Sequence, residues 1–342
     1  MVPTPYGRAQ SRSAPYFRTG LFGILAVVLL AGCAERPSLL PPLEGSFGGE
    51  TVPVYFVTTR ALSGTPDVYS GARALSASYG RVDVGIPTDR TLGTLPTTDE
   101  RPNPSRHFHQ NGIYRYQSLA QMRDAALTSS GGMGVSLFVH GYNNTFTESL
   151  FRLAQLHHDA DQTGAAIAFQ WASLGDPRAY IHDRDSALHA RQTLAATIES
   201  LSQGAQTQLR LGAHSMGSLL LMEALVRLSL EGNAAAIRAI DEVVLISPDI
   251  DLDLFAQQLA EIDLPQSRFK VVINRDDRLL RLSSVLAGGN ARAGSSTDVA
   301  ALRELGVQVF DLTGLDDGDR PGHFLPATSP LLLSIMQTNN GE

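Results

Sequence analysis

Thiols and ammonium groups are nearly missing from this chain. Of 342 residues, one is a cysteine, Cys33, and one is a lysine, Lys270. A single cysteine cannot close an internal disulfide, and it leaves no thiolate set for a zinc cluster and no pair for redox chemistry. The fold must therefore stand on its core. Lys270 lies in the apolar run 269–273, where its stem is expected to pack while its ammonium snorkels outward, so Schiff-base chemistry is not suggested. Also missing is an uninterrupted run of the ~20 apolar residues that a membrane-spanning helix needs. Acids are absent from the first 32 residues, which carry Arg8, Arg12 and Arg18. Without those three charges the net charge falls from -7 to -10, which argues against an electrostatic nucleic-acid binder. What is present is globular: 43% hydrophobic residues against 18% charged ones can fill a sizeable core.

The N-terminus reads as an address. A basic, acid-free segment precedes the apolar run from Leu21 to Ala31, which is the layout of a secretory signal. Leu30-Ala31-Gly32-Cys33 follows, and the chain's only cysteine falls in it. This tetrad resembles the bacterial lipoprotein signal, which implies cleavage after residue 32 and lipidation of Cys33. Each buried methylene contributes about 0.8 kcal/mol, so several acyl chains on one residue anchor durably where one would not. Ala34, where an Asp would favour inner-membrane retention, points to the outer membrane if the source is Gram-negative. Residues 33–50 are then the lipidated Cys33 and a Pro- and Gly-rich tether, with a reach of at most about 55 Å.

Residues 51–342 are expected to form one domain. Strands are expected at 52–57 and 80–86, with a loop over 61–79 between them and an irregular excursion over 87–112. Ser118 is placed to cap a helix over 119–127. Beyond residue 134, apolar strand runs at 135–139, 165–169, 209–213, 243–246, 269–273 and 307–310 alternate with helical stretches. Those stretches include one carrying Leu150, Leu153, Ala154, Leu156 and His157, others at 184–203, 216–231 and 252–262, and a last one over 328–338. Strand and helix in alternation predict an α/β fold, a mostly parallel sheet with helices on both faces. In such sheets chemistry collects where the C-terminal ends of strands meet loops.

Several such ends carry candidate groups. Strand 209–213 runs into His214-Ser215-Met216-Gly217 and an apolar helix, the arrangement of a nucleophile elbow, with Ala213 in place of the usual first glycine. A helix N-cap serine is the plainer alternative for Ser215. Strand 135–139 runs into His140-Gly141-Tyr142-Asn143. Read by position, the backbone N–H groups of Tyr142 and Met216 would face a developing oxyanion. The order Ser, acid, His requires a histidine downstream, and His323 in Pro321-Gly322-His323-Phe324 is the only one. For the acid, Asp277 and Asp249 both follow strands; Asp277 is preferred and Asp249 is the alternative, while Asp276 is expected to pair with an arginine.

These residues resemble the α/β-hydrolase superfamily, and more narrowly a bacterial esterase/lipase-like group. The pattern runs from Val54–Arg60 and Gly80–Pro87 through His140-Gly141-Tyr142-Asn143, Phe169-Gln170-Trp171-Ala172-Ser173, Tyr180 with Asp185, and the Ser215 elbow. It continues through Ser247-Pro248-Asp249-Ile250-Asp251, Asp277-Arg278-Leu279-Leu280 and Gly322-His323, departing at Ala172 and Ala213. The resemblance implies a carboxylesterase- or lipase-like serine hydrolase acting on a small-molecule or lipid ester, without metal or organic cofactor. A thioesterase, a peptidase and a non-catalytic envelope-binding lipoprotein on the same fold are the rival readings. Trp171 is read as packing, with a pocket-lining role as the alternative, and Tyr180 could shape the pocket mouth. Asp185 could do the same or serve as a helix-start cap; His107 and His109 are read as solvated, and 287–296 as a mobile loop near the site or simply a loop.

Overall fold

Strands 135–139, 165–170 and 269–273 are apolar at all but one position each (Ser136, Gln170 and Lys270), not on alternate residues. That pattern requires both faces of a sheet to be covered, and helices cover them. The computed structural model describes residue 36 and residues 49–64, 69–203, 208–286, 289, 291–295 and 299–314. The chain divides into two compact units, Met1–Glu35 and Arg36–Glu342, of which the first lies outside the described residues.

In chain order the strands are β1 (Thr51–Leu62), β2 (Tyr69–Gly85), β3 (His109–Tyr116), β4 (Val135–Val139), β5 (Ala165–Gln170), β6 (Leu209–His214), β7 (Ile240–Ile246), β8 (Phe269–Ile273) and β9 (Gln308–Asp311). The helices are α1 (Leu119–Ser129), α2 (Phe146–Asp159), α3 (Tyr180–Ser202), α4 (Met216–Leu230), α5 (Ala234–Arg238), α6 (Leu252–Glu261), α7 (Arg278–Leu286) and α8 (Val299–Glu304). One sheet runs β3-β2-β1-β5-β4-β6-β7-β8-β9. From β1 to β9 every neighbouring pair is parallel, and the hairpin partners β2 and β3 are antiparallel. This is the mostly parallel, helix-flanked α/β arrangement expected.

Leu137, Ile167, Leu211, Leu245 and Val271 face one core with α3, α4 and α6. Phe138, Ala168, Ile246 and Val272 face the other with α2. The C-terminal ends of β4, β5, β6, β7 and β8 therefore share one edge, which presents His140, Trp171, Ser215, Ser247 and Asn274.

Four expectations are corrected. Much of 61–79 is strand: β2 begins at Tyr69, but its small, half-exposed residues carry no two-residue apolar period. Between Ser78, opposite Thr58, and Arg73, opposite Arg60, β2 bulges, and Leu75 projects fully from the bulge. β3 begins inside the segment read as irregular and is an edge strand; His109 on it is not solvated but buried, its Nδ1 3.0 Å from the His107 carbonyl. Lys270 does not snorkel. It is buried, with Nζ 2.8 Å from Glu242 on the neighbouring strand β7. Ser118 caps α1 as expected, its hydroxyl accepting from the Gln121 N–H at 3.2 Å. The helix expected over 328–338 lies outside the described residues, and no described helix is long and apolar enough to cross a membrane.

At the opposite edge of the sheet, the Asp159 carboxylate ends α2. Burial alone would raise its pKa, but hydrogen bonds from Arg90, Gln155, His158 and the Gly93 N–H outweigh burial and hold it at about 2. A folded-state pKa below the unfolded value means that this stabilisation is complete above about pH 4 and is lost as pH falls through about 2. The shift corresponds to at most about 2 kcal/mol. Urea unfolding of the wild type and Asp159→Asn is expected to show a stability gap at pH 6 that narrows steadily toward pH 2.5. A gap constant with pH would remove the linkage.

Candidate active site

Ser215 occupies the single residue between β6 and α4, with φ 52° and ψ −125°. A non-glycine residue at positive φ costs on the order of 1–3 kcal/mol and persists only where its surroundings hold it. Two backbone hydrogen bonds to the end of β7 do so. The Ser215 N–H donates to the Ile246 carbonyl at 2.9 Å, and the Asp249 N–H donates to the Ser215 carbonyl at 3.2 Å. The Ser215 hydroxyl makes no cap to the helix that follows, which sets aside the N-cap alternative.

Two glycines let the β4 loop pack onto this turn. A Cβ on Gly217 would lie 2.3 Å from the His140 carbonyl oxygen and 2.6 Å from that of Val139. A Cβ on Gly141 would lie 2.7 Å from His214 Nδ1 and 3.0 Å from the Ser215 Cβ. The loop carrying Tyr142 thus lies directly against Ser215. Among the described residues no acceptor meets the backbone N–H of Tyr142 or of Met216. Met216 opens a helix whose N-terminal partial charge favours an anion.

His140 is scaffold. Its ring is buried, stacked on Trp171 with 4.9 Å between centroids, and its nitrogens lie 2.9 Å from the Gly141 carbonyl and 3.1 Å from that of Trp171. Burial, with a further push from the Arg60 charge, lowers its pKa to about 3 despite those two carbonyls, so the ring stays neutral. Trp171 returns the contact, Nε1 donating to the His140 carbonyl at 2.8 Å. With no exposed surface, Trp171 packs and orients the loop.

Arg60 and Asp183 hold the same loop from either side. Arg60 is buried and donates to the carbonyls of Asn144 and Ser173, each at 2.8 Å. Desolvation lowers its pKa to about 10, against the pull of Asp183 and Glu148. The Asp183 carboxylate, fully buried, accepts from Ser173 Oγ at 2.6 Å, the Leu174 N–H at 2.9 Å and the Asn143 N–H at 3.3 Å. Sequence reasoning missed Asp183 and chose Asp185, which is exposed and lies inside α3, five residues past its start. An acid in a first helical turn looks like a surface charge serving the helix dipole, and nothing in spacing separates the two.

The two candidate acids differ in what occupies them. Asp249 uses both oxygens: Oδ2 accepts from Tyr180 Oη at 2.8 Å, while Oδ1 accepts from Ser283 and lies 3.3 Å from Arg292 Nε. Burial, and then the Asp249 charge, push Tyr180 up to about 12. Tyr180 thus serves this buried cluster. Arg292 belongs to the segment expected as a loop near the site; residues 291–294 are pinned by backbone hydrogen bonds to Pro248, Ile250, Leu252 and Asn274. Asp277 is also fully buried. Its Oδ1 accepts from the N–H groups of Leu279 and Leu280 at 2.9 and 3.0 Å and so caps α7. Asp276 points outward, 3.4 Å from Arg281. His323 lies outside the described residues.

Residues 117–339, about two thirds of the sequence, match the family described as "Alpha/beta hydrolase of unknown function" (DUF900). The chain belongs to that family. Membership in DUF900 makes it a protein of the α/β-hydrolase type, and the sheet and the Ser215 turn lie in or lead into the matched segment. Arg36 and β1 to β3 precede it. No curated protein matches the sequence. Similar solved structures include dienelactone hydrolase from Anabaena variabilis ATCC 29413 (12% identity, 78% of this chain and 94% of that one, TM-score 0.36). Esterase PE8 is another (16% identity, 60% and 93%, TM-score 0.39), as is a thermophilic esterase from Thermogutta terrifontis (11% identity, 91% and 99%, TM-score 0.37).

One further contact marks the site's rim. Arg36 donates to Asn143 Oδ1 at 2.8 Å and to the Asn143 carbonyl at 3.3 Å, and its Nη1 lies 3.3 Å from Glu148 Oε2. It belongs to the segment expected as a tether.

Proposed function

We propose that this DUF900 member is a serine hydrolase of carboxylic esters, with Ser215 as nucleophile. The observation that carries this reading is the strained Ser215 turn, packed against a glycine-bearing loop that brings beside it two N–H groups with no acceptor among the described residues. Strain of this kind is kept where it aims a reacting group.

In the proposed reaction Ser215 Oγ attacks the ester carbonyl carbon while His323 takes the hydroxyl proton. The oxyanion that forms is held by the Tyr142 and Met216 N–H groups, each such donor being worth about 3–4 kcal/mol in the transition state. Collapse breaks the C–O bond, and the alcohol leaves with the proton from His323. Water then attacks the acyl-serine by the reverse proton path. Asp277 is assigned the role of orienting His323. Its place after β8, followed in the chain by β9 and then His323, supports this, and Asp249 has its oxygens engaged elsewhere.

The chain is further proposed to be made with a cleaved signal, residues 1–32, and to be lipidated at Cys33. A tether then joins the hydrolase domain 51–342 to the cell envelope. The first test is chemical. A fluorophosphonate probe should modify the full chain once, on the peptide bearing Ser215, and the same preparation should hydrolyse p-nitrophenyl esters across a chain-length series. Absence of labelling in folded protein would leave the binding-lipoprotein reading in its place.

A further inference from the structure

Arg36 stands three residues after Cys33 in the chain, and its guanidinium is fixed on the loop that flanks the nucleophile. Three residues reach about 10 Å when extended. We infer that the lipid anchor emerges at the rim of the active site, so that the site mouth faces the surface of the bilayer in which the protein is anchored. This rests on the lipid-anchor and hydrolase readings proposed above.

Arg36 is held there by more than one group. Besides both Asn143 oxygens and Glu148, it contributes to lowering the Asp176 pKa, after the dominant Arg178, and Gly175 leaves the space its Nη1 occupies. A single exposed ion pair contributes little. Here a planar fork meets a carbonyl, an amide oxygen and a carboxylate, and the pairing is intramolecular, which raises its effective concentration.

The rim around this contact exposes apolar side chains beside the charged Arg178, which is paired with Asp176. Leu174, which follows β5, is 44% exposed and Ile181, at the start of α3, is 65% exposed. Leu62 ends β1 at 52%, and Leu75 projects from the β2 bulge. The bulged hairpin reaches this rim: a Cβ on Gly71 would touch Leu174, and Arg73 donates to the His182 carbonyl and to Ser186 of α3. An anchor held within about 10 Å brings these side chains to the headgroup level, where apolar residues gain from burial. The substrate class implied is an ester reached from the bilayer surface, namely a membrane lipid.

The test uses full-length, lipidated protein reconstituted in phosphatidylcholine vesicles containing brominated lipid. Cys33 is acylated, so a cysteine introduced elsewhere takes a bimane label alone. Ile181→Cys is compared with Met133→Cys, a 55% exposed position beside the start of β4 at the opposite edge of the sheet. Quenching is expected to be about twofold or more greater at 181 than at 133. In Arg36→Glu, which places three acids together with Glu148 and Asp176, the difference should collapse. Equal quenching at the two positions, greater quenching at 133, or failure of the protein to stay on vesicles would each overturn the inference. Hydrolysis of a soluble short-chain ester by the same unlabelled vesicles is read separately. Turnover without preferential quenching leaves the hydrolase reading standing alone, and quenching without turnover leaves the orientation standing alone.

Discussion

Ser215→Ala is expected to lower kcat for ester hydrolysis by about four to six orders of magnitude, with folding unimpaired. The hydroxyl makes no helix cap whose loss would unfold the turn, and the backbone hydrogen bonds to Ile246 and from Asp249 do not involve the side chain. Alanine at positive φ is strained much as serine is, so thermal unfolding should shift little. What remains after the substitution is the two oxyanion donors and substrate binding, which alone give a small residual rate. Burst-phase kinetics with an activated ester provide the check, since wild-type acyl-enzyme accumulation should vanish entirely. Retained turnover would move the nucleophile elsewhere.

Asp277→Asn and Asp249→Asn should fail in opposite ways. Asparagine at 277 keeps an Oδ1 for the N–H groups of Leu279 and Leu280, so the cap on α7 survives, since Asn and Asp are comparable caps. The change removes the charge that would orient an imidazole while the cap is kept, so the loss should appear chiefly in kcat, by about 10⁴. At 249 the same change leaves Arg292, itself only 3% exposed, without its carboxylate. Breaking a buried pair from one side costs about 3–5 kcal/mol, so the loss should appear chiefly as stability. Urea unfolding and kcat measured on the two variants decide between the acids. A stable, inactive Asp249→Asn beside an active Asp277→Asn would exchange the assignments.

Legibility in the sequence followed burial. β4 and β8 were read to the residue because strands enclosed on both faces are apolar at nearly every position and bounded by polar turns. The Ser215 turn was legible because its geometry demands small residues at fixed offsets, and Gly217 and Gly141 show why. β3 and the first half of β2 escaped because edge and solvent-facing strands need no apolar period. Asp183 and Arg60 escaped for a different reason. Arg60 meets backbone carbonyls of loops more than eighty residues away, and Asp183 meets the Ser173 hydroxyl and the N–H groups of Leu174 and Asn143, a set that only the folded sheet brings to one edge. Lys270 was misjudged because its partner Glu242 sits on a neighbouring strand, a pairing set by register and invisible to a window along the chain.

The neutral His140 ring carries one more consequence. With a pKa of about 3, it exchanges no proton between pH 5 and 9, although it abuts the loop on which the reaction would run. An inflection in a rate-against-pH curve near neutrality therefore belongs to a different ionising group, and that curve can be interpreted without first altering residue 140.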